Sequence, residues 1–261
     1  VIVDSHTHVM SADRDRYPTR PDLGHWFHGA GDVASLLGAM DDAGVDRAVL
    51  VQFVGGYGYD NRYVLDARGE AADRLRICAA VDLFGTDPGG ELRAIGDRVQ
   101  AVRAFGVGAE EAVWLTDGRG EALWQACEET ATTVVATVWD RDLHHLRPLV
   151  EAHPGVPVAV DHCGFVDFAG DVAPLLDLAD LPAVHVKVSS HVLRPLPDPA
   201  AVVSLLAGAF GADRLVWGSD YPQTEGSYGS MVELARHAAA RLDDAGQADF
   251  LGGTARRLWF D

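Results

Sequence analysis

The chain opens Val1-Ile2-Val3-Asp4-Ser5-His6-Thr7-His8, an apolar run that alternates as a strand does and ends in two imidazoles. Side chains two apart in a strand share a face, so the pattern puts Ile2, Asp4, His6 and His8 on one side. Two histidines at a strand end supply half of a metal site or half of an electrophile-activating pocket. A surface His-Thr-His with no task fits the same residues, so the decision rests on what other strands carry.

Outward from this stretch, a polar and aromatic segment over about residues 9–31 holds Arg14, Arg16, Tyr17, Pro18, His25, Trp26, Phe27 and His28. So long a stretch without periodicity usually serves function, and it reads as a loop over the mouth of a site. Residues 32–44 read as a helix, capped by Asp32, spaced by Val33, Leu36, Leu37 and Met40, and stopped by Gly44. A strand follows over Arg47 to Phe53. Further strands are expected at about 76–83, 99–105, 133–139, 156–162, 184–190 and 214–219. The helices between and after them fall at about 61–72, 89–96, 118–131, 142–152, 171–179, 199–210 and 229–243.

Strands joined by crossover helices run parallel, and eight such units close as a single (β/α)8 TIM barrel, an α/β fold that a chain of 261 residues fills as one domain, 1–261. An open doubly wound sheet is the rival, but no Gly-x-Gly-x-x-Gly follows an early strand. The barrel brings every strand's C-terminal end to one face, where residues distant in sequence meet.

Composition narrows the partners. A formal charge of -18 argues against nucleic acid and anionic membrane, which demand basic patches. Cys78, Cys127 and Cys163 match no paired metal spacing and suit a reduced, cytoplasmic protein. No signal peptide pattern precedes the first strand, and no apolar run approaches the roughly 20 residues of a membrane span. The expected partner is a small-molecule substrate, and a homo-oligomer stays open.

The strand ends carry the chemistry. Strand six ends in Asp161 and His162, with His162 placed on the face of Val158 and Val160; strand eight ends in Asp220, on the face of Val216 and Gly218. Strand seven puts His185, Lys187 and Ser189 on one face and valines on the other, and strand four aligns Arg103 with Val99 and Ala101. Buried cations need carboxylate partners, so Lys187 and Arg103 read either as structural ion pairs or as substrate contacts. Three imidazoles and a carboxylate at one mouth suit hydrolysis: the imidazoles, directly or through Zn2+, polarise a carbonyl, and Asp220 takes the proton of the attacking water. His162 taken alone reads as a structural histidine.

His6-Thr7-His8, Asp161-His162-Cys163-Gly164, Val186-Lys187-Val188-Ser189, Trp217-Gly218-Ser219-Asp220-Tyr221-Pro222 and the terminal Gly253 to Trp259 run together resemble the amidohydrolase superfamily, and within it the amidohydrolase-2 branch. The resemblance implies a barrel that hydrolyses lactones of sugars or dicarboxylic acids, or decarboxylates small unsaturated or aromatic acids. It implies metal ligation by His6, His8 and Asp220, and carbonyl polarisation or acid/base work by His162. One divalent ion, Zn2+ by preference, is the implied cofactor. Strand five departs from the superfamily: it ends in Trp139, which has no lone pair for a metal, followed by Asp140, with Asp142 and His144 as substitutes beyond the strand.

Substrate contacts are expected from Tyr57 and Tyr59, freed by neighbouring glycines, and from His25, Trp26, Trp139, His191 and Arg194. Arg103 and Arg194 suit a carboxylate, which points to an acidic substrate. The leading expectation is a hydrolase opening a lactone or similar cyclic ester. A metal-dependent decarboxylase of an aromatic or muconate-type acid is second, and a silent barrel serving as binder or scaffold is third.

Overall fold

The computed structural model describes residues 1–20, 31–107 and 112–261. The expected loop residues His25 and Trp26 lie outside them.

Eight parallel strands form one sheet in sequential order: β1 (Val3–Thr7), β2 (Arg47–Val51), β3 (Leu75–Ala80), β4 (Ala101–Gly106), β5 (Thr133–Val138), β6 (Val158–Val160), β7 (Val184–Ser189) and β8 (Leu215–Gly218). Each pairs with the next, and the last meets the first through a parallel bridge between Thr7 and Tyr221. The architecture is a nearly closed TIM barrel. Helices follow the expected signals where the capping chemistry is explicit. Asp32 accepts the Ser35 N–H at 2.9 Å before the helix Val33–Ala43, and Gly44 ends it at φ 68°. The helices expected at 61–72, 142–152 and 171–179 are shorter: the first covers Arg62–Arg68, the second starts as a 3-10 turn and is α-helical over Leu146–Ala152, and the third shrinks to Ala173–Leu176.

Two apolar clusters result from the strand period. Alternate strand residues, including Val184, Val186 and Val188, pack outward against the helices. The other set, Val49, Val51, Cys78, Ala101, Val135, Ala159 and Val216, fills the barrel interior together with Ala255 and Trp259. The C-terminal helix Thr254–Trp259 closes the end where the strands begin. The Trp259 carbonyl accepts from Arg76 Nε at 3.1 Å, and the Phe260 ring lies against Arg47 and Arg76. The opposite end of the interior is polar.

Two expected strand faces are corrected. In β1 the register shifts between Asp4 and Thr7, so Ile2 packs outward and Val3 inward, while Asp4 turns to Tyr228 and Ser219. His6 and His8 therefore face the interior without Ile2 and Asp4. In β6 the outward residues are Val158 and Val160, so the inward register falls on Ala159 and Asp161, and His162 lies beyond the strand.

Candidate active site

The C-terminal end of β1 holds His6 Nε2 3.1 Å from His8 Nε2. Asp220 Oδ1 lies 3.6 Å from the first and 3.3 Å from the second. His8 Nδ1 faces the Val51 carbonyl at 2.8 Å; a carbonyl only accepts, so Nδ1 carries the proton and Nε2 a lone pair. Asp220 reaches the pair from a left-handed conformation, φ 57°, which Asp tolerates better than most residues. Its N–H donates to the His6 carbonyl at 2.9 Å, and His8 N–H donates to the Tyr221 carbonyl at 2.8 Å. Gly218 makes the approach possible, because a Cβ there would stand 2.7 Å from His6 Cβ.

Beneath these groups lies a buried charge layer centred on Asp161. Its carboxylate meets Lys187 Nζ at 2.9 Å, Arg103 Nε at 3.2 Å, the Thr137 hydroxyl at 2.7 Å and His6 Nδ1 at 3.2 Å. Burial alone would raise the Asp161 carboxyl; the Lys187 charge, the His6 hydrogen bond and the Arg103 charge outweigh it and hold the group well below the usual carboxylate range. The His6 imidazole is pushed well below its usual value by burial first and by Lys187 second, so it is neutral. Asp220 is also lowered, against its own burial, first by the His8 ring beside it and then by the His162 and His6 rings.

His162 enters by a different device. Residues His162, Cys163, Gly164 and Phe165 all have φ between 50° and 62°, a left-handed turn that L-residues resist by roughly 1–2 kcal/mol each. The turn sets the His162 ring 4.8 Å from the His6 ring, with Nδ1 2.8 Å from Ser189 Oγ. Burial pushes the His162 imidazole down to about 4. The Phe165 ring then lies tilted 5.2 Å from the His162 ring and 4.8 Å from that of Trp139.

The fold thus brings His6, His8, His162, Asp220, Arg103 and Lys187 together. It does not leave Tyr57 free: that ring is buried beside Tyr63, and its hydroxyl accepts the Ser11 N–H at 2.8 Å. Tyr59 is half-buried, and His191 stands 6.1 Å from His162, ring to ring, at the exposed edge. Arg194 is turned to the loop after β8, bonding the Glu225 carbonyl and lying 3.6 Å from its carboxylate. Asp140, Asp142 and His144 fall in a 3-10 stretch, and none belongs to a metal-capable group among the described residues. The residue that the motif reading left without a role is Asp161, along with its partner Thr137. A signal was present: two cations on inward faces require a carboxylate, and the period of two through Ala159 leads to Asp161.

Among the described residues, two buried groups could hold a metal ion: His6, His8 and Asp220, and His6, Asp161 and His162. The first passes a test of donor chemistry. With the His6 proton on Nδ1, toward Asp161, three lone-pair atoms converge with edges of 3.1, 3.3 and 3.6 Å. A tetrahedral ion with bonds of about 2.0–2.1 Å separates its ligand atoms by roughly 3.3 Å.

The amidohydrolase family model, of the amidohydrolase-2 type, matches residues 3–260. The chain belongs to this amidohydrolase family. An L-fucono-1,5-lactonase of Burkholderia ambifaria is 26% identical to this amidohydrolase, over 97% of this chain and 93% of its own. A structure of a candidate 2-pyrone-4,6-dicarboxylic acid hydrolase from Pseudomonas putida superposes with a TM-score of 0.82 at 27% identity, covering 98% and 96% of the two chains. A zinc-bound amidohydrolase from Burkholderia multivorans shares the fold, with a TM-score of 0.79 at 22% identity over 99% and 98%. No helix among the described residues is long and apolar enough to cross a membrane.

Proposed function

We propose that this amidohydrolase opens a lactone or similar cyclic ester of a small acidic or sugar-derived substrate, with Asp220 as the base. The observation that carries the reading is the buried convergence of His6, His8, Asp220 and neutral His162 on the face where barrel strands end. Support comes from two relatives whose names describe cyclic esters of different kinds, a sugar lactone and a pyrone dicarboxylate.

The protein groups divide the work. Asp220, ionised beside His8, accepts the proton of the attacking water. Ser189 Oγ accepts the Val192 N–H at 3.4 Å and keeps its own proton for His162 Nδ1. His162 then carries its proton on Nε2, where it donates to the carbonyl oxygen as negative charge builds there. Arg103 uses Nε for Thr137 and Asp161, and among the described residues no hydrogen bond leaves its terminal nitrogens, which suits a substrate carboxylate. His6, His8 and Asp220 would hold one divalent ion, Zn2+ by donor type, which when bound supplies Lewis acidity to the site.

A panel of sugar lactones and dicarboxylate lactones, followed by acid release with a pH indicator, tests the reading. Opening of one class, lost by at least about 10³-fold in Asp220→Asn with an unchanged circular dichroism spectrum, is the expected result. Full turnover in that variant removes the base, and no turnover of any lactone removes the substrate class.

A further inference from the structure

His6 stands between two positions for positive charge and has one lone pair to give. On its Nε2 side lies the group formed with His8 and Asp220. On its Nδ1 side, within the second metal-capable group, a cation is already resident: Lys187 Nζ is 3.1 Å from Nδ1 and 2.9 Å from Asp161 Oδ1. Lys187 is 1% exposed and reaches this point from the inward face of β7.

The heavy-atom positions allow two proton arrangements, the second complete only when a cation sits among the lone pairs of His6, His8 and Asp220. In the first, Lys187 donates to His6 Nδ1, His6 donates from Nε2 to His8 Nε2 at 3.1 Å, and His8 donates from Nδ1 to the Val51 carbonyl. In the second, His6 donates from Nδ1 to Asp161, Lys187 donates to the same carboxylate, and Nε2 keeps its lone pair. The two differ only in which ring nitrogen of His6 holds the proton, and only the second can bind an ion through Nε2. No change in net charge accompanies the exchange.

We infer that Lys187 and Asp161 are opposed positioning residues that set the His6 tautomer, Lys187 holding the metal-free form and Asp161 the metal-ready form. The inference rests on His6, His8 and Asp220 being the metal site, but its first readout needs no metal. Ligating histidines owe much of their affinity to the partner of the other ring nitrogen, about 10–100-fold for a single such contact. Lys187 works against that partner, and so acts as a brake on loading.

The test is ¹⁵N NMR of histidine-labelled protein in the metal-free state, followed by Zn2+ affinity from chelator competition. The wild-type chain is expected to carry His6 Nε2–H. Lys187→Met moves the proton to Nδ1 and tightens Zn2+ about tenfold, whereas Asp161→Asn keeps Nε2–H and loosens it about 10–100-fold. Arg103→Met serves as the charge control, since Arg103 touches Asp161 but makes no contact with His6; it leaves the tautomer unchanged. Should Lys187→Met fail to fold, Asp161→Asn carries the test alone. A His6 Nδ1–H form in the metal-free wild type overturns the inference, as does a shift of both variants in the same direction. Absence of Zn2+ binding with the predicted tautomer pattern instead overturns the metal reading alone.

Discussion

The β4–β5 pair and the β8–β1 seam do the same topological job by opposite means. β4 and β5 pair in unbroken register from Ala101–Thr133 to Gly106–Val138. Along the seam a single bridge joins Thr7 and Tyr221, and the Asp4 carboxylate, instead of a neighbouring carbonyl, takes the Ser219 N–H at 2.8 Å. The regular pair is all period two: Val102 and Val134 face the helices, Ala101 and Val135 the interior. The seam breaks that period, turning both Val3 and His6 inward, which no regular strand can do. The lesson is that the cluster of His6, His8 and Asp220 occupies the place where the ladder is interrupted, because there backbone and side chain are free to leave the sheet's geometry.

The largest effect is expected at the seam. Gly218→Ala forces a Cβ to within 2.7 Å of His6 Cβ, a contact between backbone-anchored atoms that neither side can yield cheaply. We expect kcat/KM to fall about 100-fold, as for other misplacements of roughly 1 Å, and Zn2+ affinity to fall with it. Unchanged kinetics would show that the seam does not set the geometry of the site.

In the regular region, Val134→Ala removes buried apolar volume between sheet and helices and costs about 2 kcal/mol in denaturant unfolding. Activity per folded molecule stays at the wild-type level. A parallel loss of activity would mean that the ladder and the site are coupled, against the contrast drawn above.

The smallest effect lies further out, where His153 joins Glu128 Oε2 at 3.1 Å and Glu121 Oε1 at 3.0 Å on the helix Arg119–Thr130. Burial opposes its charge, but the two glutamates prevail and raise the imidazole above its usual value. A raised group stabilises the fold fully below its unfolded pKa of about 6.5, and the contribution fades as pH rises through the folded value. His153→Gln should therefore lower Tm more at about pH 5.5 than at about pH 9. An equal loss at both would assign the contact to packing alone.

Much of this was legible along the chain because burial imposes a period. Lys187 and Arg103 alternate with Val186, Val188, Val102 and Ala104, and the structure turns both cations inward as that pattern requires. The departures come where local pattern and tertiary contact disagree. His162 continued the β6 alternation on paper, yet a left-handed turn carries it to His6. Tyr57 followed glycines that promised freedom, yet Ser11 and Tyr63 hold it. Arg194 suits a substrate carboxylate by residue type, yet it turns to the Glu225 carbonyl and carboxylate.

The sequence by itself determined the eight strands, their parallel order, the family and the residue types at the strand ends, since each follows from periodicity or motif. The tertiary structure alone decided that Asp161 is the hub beneath His6, that the β1 register shifts, and that His6 Nδ1 lies between Lys187 and Asp161. These depend on closing the barrel, when β8 is laid against β1 and buried groups must find partners across more than 150 residues of chain, as the 155-residue separation of His6 and Asp161 shows.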